Sequence, residues 1–343
     1  MEVPFYVGRV QEGDKAGGKM EEKTQVAALS VFSNTVLTIG KLSIGFFSGS
    51  VSIVSEGIHS GIDLLAAVIA LFAVRHAGRP ADDRHAYGHG KLENVSGTIE
   101  AVLIFFAAVW IIAEAVRKIT AGDTVEEIGL GLVIMIFSAL LNLVISTMLM
   151  RVARKTNSVA LEADALHLRT DVYTSAGVFT GLLLLKLTGW SILDPLVAIA
   201  VAVLIIKAAF DLTKEAFMPL IDASLPEPDQ AIITQVLTRH AADYVEFHAL
   251  RTRRSGAERH IDLHLVVPKH DSVGNVHELC DRIEEEINEQ LPGTHVLIHA
   301  EPCGGEDETC AHCEQTCHGR PGKILPLNGK AEQESQALES KLR

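Results

Sequence analysis

The sequence predicts an α-helical membrane bundle of six transmembrane helices followed by a cytosolic α+β C-terminal domain, and three observations carry that prediction. The mean hydropathy is +0.25 beside a formal net charge of −13, so apolar residues and charges must occupy different parts of the 343-residue chain. Val26 to Phe210 holds long apolar runs, whereas Asp222 to Arg343 is charged and contains ten of the fifteen His. All five cysteines (Cys280, Cys303, Cys310, Cys313, Cys317) also lie in that polar part. A length of this order allows two domains at roughly 150 residues each. The segregation excludes an ordinary soluble enzyme. The acidic balance, 30 Lys and Arg against 43 Asp and Glu, argues against nucleic acid as a partner.

Residues 1–24 form a polar, Gly-rich segment without the apolar stretch of a secretory signal, read as a cytosolic N-terminal segment. Residues 25–214 then supply six runs long enough as helices to cross about 30 Å of hydrocarbon. They are Val26–Phe47, Val51–Val74, Val95–Val116, Ile128–Met150, Val159–Leu187 and Ile192–Phe210. Only Ser48-Gly49-Ser50 parts the first two and Thr188-Gly189-Trp190-Ser191 the last two, which marks tight hairpins. Lys15, Lys19 and Lys23, then Arg75, Arg79, Arg84 and Lys91, then Arg151, Arg154 and Lys155 gather on one side. By the positive-inside rule that side is cytosolic, and both termini lie there.

Residues 215–303 leave the membrane through Leu225-Pro226-Glu227-Pro228 and change period. Ala231–His240 has helical spacing, Tyr244–Arg253 reads as a strand, and His260–Val267 alternates with Ile261, Leu263, Leu265 and Val267 on one face. Val276–Leu291 is an amphipathic helix and His295–Glu301 a third strand. The α-β-β-α-β order predicts a small open α+β sandwich of ferredoxin-like, metallochaperone-like form. Residues 304–343 show no period and read as a flexible Cys- and His-containing tail.

Ionisable residues inside a span are costly and mark function. Span two contains His59 and Asp63, span five His167 and Asp171, each a His followed four residues later by an Asp on the same helical face. The two spans run antiparallel, and both pairs sit near mid-depth, so they can converge. Two imidazole nitrogens with two carboxylate oxygens make a tetrahedral set suited to Zn²⁺ and neighbouring divalent ions. Such ligands also take protons, so metal and protons compete for them. A site of that kind, opening to each side in turn, couples metal movement one way to proton movement the other. Asn34, Lys41 and Asn142 read as packing or snorkelling groups rather than ligands.

The paired His-x-x-x-Asp, the six spans with cytosolic ends, the α+β domain and the stretch Pro80-Ala-Asp-Asp-Arg-His-Ala-Tyr-Gly-His-Gly-Lys91 resemble the cation diffusion facilitator family over about residues 25–303. The family comprises dimeric divalent-metal/proton antiporters that include bacterial zinc and ferrous-iron efflux proteins. The resemblance implies a homodimer in the cytoplasmic membrane of a bacterium, with Zn²⁺ as substrate and regulatory ligand and with no cofactor.

Asp82, His85 and His89 in the loop after span two have workable ligand spacing, with Gly88 and Gly90 permitting a tight turn. They match a second metal site of the family; the alternative is a hydrated loop. In the C-terminal domain the resemblance implies a binuclear zinc site at the dimer interface. It would be formed by His248, His264, His277 and His299, with Glu301 where an Asp is usual, a longer ligand that puts the second metal in question. In the tail, Cys310-x-x-Cys313 and Cys317 are compatible with a soft metal, a redox pair or a plain disordered end.

Export of Zn²⁺ is the leading reading, with Fe²⁺, Co²⁺ or Mn²⁺ as alternative substrates of the same antiport. An intramembrane metalloenzyme lacks support because no His-Glu-x-x-His occurs. A metal receptor without flux is the remaining alternative.

Overall fold

The structure is a computed structural model that describes residues 12–48, 51–121, 130–188, 190, 192–303 and 323–324. The chain divides into two compact units, residues 1–221 and 222–343.

The first unit is built from six helices: α1 (Glu12–Ser48), α2 (Val51–Ala77), α3 (Lys91–Ala121), α4 (Leu130–Thr156), α5 (Val159–Thr188) and α6 (Leu193–Phe217), ended by a 3₁₀ turn at Met218–Ile221. Among the described residues, five stretches are long and apolar enough to cross a membrane: Met20–Phe47, Gly57–Ala77, Lys91–Thr120, Val133–Thr156 and Pro195–Ile221. The fifth helix, α5, is as long as its neighbours at 30 residues but carries Glu162, Asp164, Arg169, Asp171 and Lys186. The sequence counted it as a sixth span. Among the described residues its polar load leaves it outside those five stretches.

Burial inverts the pattern of a soluble core. Ala27, Ala66, Ala67, Ala70, Ala101, Ala108 and Ala163 are inside, whereas Phe32, Phe46, Phe72, Phe106, Trp110 and Phe210 are exposed. Between helices in lipid the hydrophobic effect gives little attraction, so small residues that let backbones approach closely make the contacts. At Gly97 of α3 an added Cβ would meet Val159 Cγ1 at 2.9 Å and the Ala216 Cβ at 3.3 Å, which puts α3 hard against the start of α5 and the end of α6.

Turns and polar ties fix the order. Asn157 adopts φ +52° and, with Ser158, joins α4 to α5 in two residues. Arg151, Arg154 and Lys155 therefore lie on the last turns of α4, not in a loop. Glu93 of α3 accepts from Lys23 Nζ of α1 at 2.8 Å and from Ser158 Oγ at 2.5 Å, all buried. The charge on Lys23, read from sequence as one of the flanking positives, is thus consumed inside the bundle. Lys41 does not snorkel: it is 7% exposed and donates to Ser60 Oγ of α2 at 2.9 Å.

In the second unit α7 (Glu227–Arg239), β1 (Glu246–Ser255), β2 (Glu258–Val267), α8 (Val273–Gln290) and β3 (Thr294–Pro302) follow the expected order. A two-residue β4 (Lys323–Ile324) adds to β1, giving the sheet order β3-β2-β1-β4. β1 and β2 are antiparallel; β2 and β3 are parallel. Pro228 opens α7, and the Ser272 side chain caps α8 by accepting from the Asn275 N–H at 3.2 Å.

One sheet face is apolar. Phe247, Ile261, Leu263, Leu265 and Val267 pack with Ile233, Val236 and Leu237 of α7 and with Leu279, Cys280, Ile283 and Ile287 of α8. Strand alternation leaves His248, His264 and His299 on the opposite face.

Gly97→Leu is expected to prise α3 from α5 and α6, costing on the order of 1–3 kcal/mol as overpacking does. The check is the melting temperature of the detergent-purified chain, which should fall below that of the parent.

Candidate metal centre

α2 carries His59 and Asp63 on one face, and α5 carries His167 and Asp171 at the same four-residue spacing. The structure brings all four together, and the pairing is crossed. His167 Nε2 lies 3.0 Å from Asp63 Oδ1, while His59 Nε2 lies 3.8 Å from Asp171 Oδ1 and 3.9 Å from Asp63 Oδ1. An earlier residue on one helix meeting a later one on the other is what antiparallel helices at one depth produce. His59, Asp63 and Asp171 each offer a ligand atom within 4.8 Å of one another. His167 joins them through Asp63. Four atoms held tetrahedrally at 2.0–2.1 Å from an ion stand ~3.3 Å apart. The three contacts of 3.0, 3.8 and 3.9 Å lie near that spacing, while His167 stands outside the set whose ligand atoms are all within 4.8 Å of one another. Asp63 is sealed in the bundle with its side chain 5% exposed, while His59 is half exposed. The group is therefore buried on one side and accessible on the other.

Asn142 corrects the sequence reading. Its Nδ2 donates to Asp171 Oδ2 at 3.2 Å, so it holds a carboxylate of the cluster rather than merely packing. Counting from the Asn157–Ser158 turn could have found it, since Asn142 precedes that turn by about as many residues as Asp171 follows it. Asp164, one turn before His167 on α5, was also missed; it is 1% exposed.

In the loop between α2 and α3, the Asp82 carboxylate accepts from the backbone N–H of His85 at 2.7 Å and of Arg84 at 2.9 Å. His85 Nδ1 stands 3.1 Å and His89 Nε2 3.5 Å from the same carboxylate. Gly88 takes φ +74°, a left-handed conformation that glycine adopts without strain, and this turns the chain so that His89 returns beside His85. The backbone N–H of His85 is the main reason the Asp82 carboxyl sits below the usual carboxylate range, with the Arg84 N–H and the His85 ring adding to it. Unlike the intrahelical group, this cluster faces solvent, with Asp82 and His85 about half exposed.

In the C-terminal unit Glu301 gathers three imidazoles: His264 Nδ1 at 2.9 Å, His248 Nε2 at 3.4 Å and His299 Nε2 at 3.6 Å. Register explains this, because His248 is paired with His264 and His264 with His299 across three strands. A bulge follows His248, where Ala249 adopts φ +52°, a costly conformation for a residue with a Cβ. It ends the regular pairing beside the cluster.

His277 is not brought to this group. It lies on α8, beside Asp281 at 3.7 Å, and α8 covers the other face of the sheet. Within one chain the sheet separates them. Cys310, Cys313 and Cys317 lie outside the described residues, while Cys280 is buried, its thiol pushed up by burial and by Glu284 and Asp281.

The fold and these clusters define a multi-pass helical membrane protein with buried His and Asp on two facing helices and a separate α+β domain. Residues 27–221 match the transmembrane domain of cation efflux proteins, and residues 225–303 match their cytoplasmic domain. The chain belongs to the cation efflux, or cation diffusion facilitator, family, whose members are transporters rather than enzymes. It is 36% identical over 277 residues to the uncharacterized transporter sll1263 of Synechocystis sp., covering 80% of this chain and 89% of that one. It is 29% identical over 286 residues to the cation-efflux pump FieF of Salmonella choleraesuis, covering 83% and 94%. A solved structure of the putative zinc transporter CzrB in its Zn form matches 25% of this chain and 97% of its own, at 32% identity and a TM-score of 0.23.

Because Asp82 is depressed, its anion stabilises the folded loop at any pH above the ordinary carboxylate pKa of about 3.9, and that contribution is lost as pH falls through the lower folded value. An NMR titration should place the Asp82 midpoint below that of a peptide spanning the loop; an equal midpoint would contradict the hydrogen-bonded turn.

Proposed function

We propose that this chain exports divalent metal cations, chiefly Zn²⁺, across the membrane in exchange for protons, by alternating access and as a homodimer. The observation that carries the reading is the crossed convergence of His59, Asp63, His167 and Asp171 from two helices. Nitrogen and carboxylate donors in equal number suit Zn²⁺. Each also accepts a proton, so loading with metal releases protons and reprotonation expels metal. Asn142 orients Asp171, as outer partners of metal ligands do. In this reading α5 crosses the bilayer with the other five helices, its charged face turned inward, and both termini are cytosolic. The membrane is the cytoplasmic membrane of a bacterium, which fits the bacterial relatives.

The remaining clusters have subordinate roles. Asp82, His85 and His89 hold a second, exchangeable ion. His248, His264, His299 and Glu301 bind cytosolic metal and draw the two copies together, with His277 contributing at the dimer interface. The boundaries are those of residues 1–24, 25–214, 215–303 and the tail 304–343. Cys310, Cys313 and Cys317 bind a soft metal weakly. The chain's likeness to a cation-efflux pump of Salmonella supports export.

Metal-driven proton movement in reconstituted vesicles tests the core of the proposal. The parent should move protons on addition of Zn²⁺, Asp63→Ala should fall to background, and Asn142→Leu should lose about 10- to 100-fold in apparent metal affinity. If Fe²⁺, Co²⁺ or Mn²⁺ moves while Zn²⁺ does not, the ion is misassigned; no flux in the parent would mark a receptor. For the soluble domain, calorimetry of the full chain should lose one tight Zn²⁺ event in His264→Ala.

A further inference from the structure

Below the four-ligand group lies a second buried polar set. Glu100 of α3 is 0% exposed and Asp164 of α5 is 1% exposed. Both Asp164 oxygens and Glu100 Oε2 lack a hydrogen-bond partner, and Glu100 Oε1 accepts only from Ser96 Oγ at 3.3 Å. The Ser30 hydroxyl of α1 is buried beside Asp164 and is likewise without a hydrogen bond of normal geometry. The two carboxylates are close enough to feel each other's charge, and Asp164 also feels His167 and Asp63.

Their depth follows from the helix contacts. α3 touches the start of α5 where Gly97 meets Val159. From that contact Glu100 is three residues on along α3 and Asp164 five residues on along α5, with Ala101, Ile104 and Ala163 packed together alongside. His167 comes three residues after Asp164, ~4.5 Å further along the axis. The acids therefore stand between the end where α1, α3 and α5 are tied through Glu93 and the His59–Asp63–His167–Asp171 group.

A carboxylate buried without a partner is not stable as an anion; it costs several kcal/mol unless something positive sits with it. Here two such groups sit at nearly the same depth on touching helices, each beside a serine hydroxyl. That is an all-oxygen set with two negative charges, the donor type of a hard divalent cation. We propose that Glu100 and Asp164, with Ser30 and Ser96, form a second cation subsite that holds a divalent metal ion one helical turn from the main group on its path through the bundle. This inference rests on the transport reading above. It assigns α3, which contributes no ligand to the main group, a direct part in the passage of metal.

The test uses the full chain in detergent on an Asp82→Ala/His264→Ala background, with Mn²⁺ as the probe, since carboxylates suit this ion and thiolates do not. Bound equivalents are counted by electron paramagnetic resonance. Glu100→Gln/Asp164→Asn should bind one Mn²⁺ fewer than the background, and Asp63→Ala should retain that ion. If the double variant does not fold, each single amide, which conserves shape, should weaken the Mn²⁺ event at least tenfold. An unchanged count or affinity overturns the subsite. So does an unchanged count with a pH-shifted flux, since the pair would then carry protons. Failure of the transport reading looks different: Zn²⁺ flux would survive in Asp63→Ala whatever the Mn²⁺ count.

Discussion

The constraint on which the bundle depends is the burial of the Asp63 carboxylate. A charge in an apolar bundle is tolerated only with compensating partners, and among the described residues Asp63 meets His59 of its own helix and His167 of α5. His167 Nε2 at 3.0 Å fixes the depth of α5 against α2, and the His59–Asp171 contact fixes their relative rotation. Asn142 then ties α4 to the same point. Three helices are thus registered around one carboxylate pair, and the register is polar rather than hydrophobic in origin.

Around that centre the packing follows from small side chains. The alanines that line the interior and the close approaches at Gly57 and Gly97 allow the helix backbones to come together, and Phe32, Phe46, Phe72, Phe106 and Phe210 face outward. The Lys23–Glu93–Ser158 contacts lock the helix ends on one side. One level further in, Glu100 accepts from Ser96 Oγ at 3.3 Å and Asp164 lies beside Ser30.

The C-terminal unit solves a different problem with the same residue types. Alternation along three strands sends the aliphatic residues to the helices and the imidazoles to the open face, where the parallel register of β2 and β3 sets His299 beside His264 and brings Glu301 within reach. The sheet is the reason His277 stays apart. It belongs to α8, whose buried face is committed to the core on the far side.

The positions of the six helices, the order of the α+β unit and the two His-x-x-x-Asp pairs were legible in the sequence, because period and spacing are local properties that a helix or strand converts directly into a face. The helix lengths were not, since α1 begins at Glu12 and α3 runs to Ala121. The site on α2 and α5 could be read for the same reason: equal spacing on two spans leaves few other ways to satisfy four polar groups. What the sequence does not carry is which faces of different helices meet. That hid the contact of Asn142 with Asp171 and the burial of Lys41 against Ser60. Those depend on helix rotation and on small-residue contacts such as Gly97 with Val159, which only the packed bundle decides.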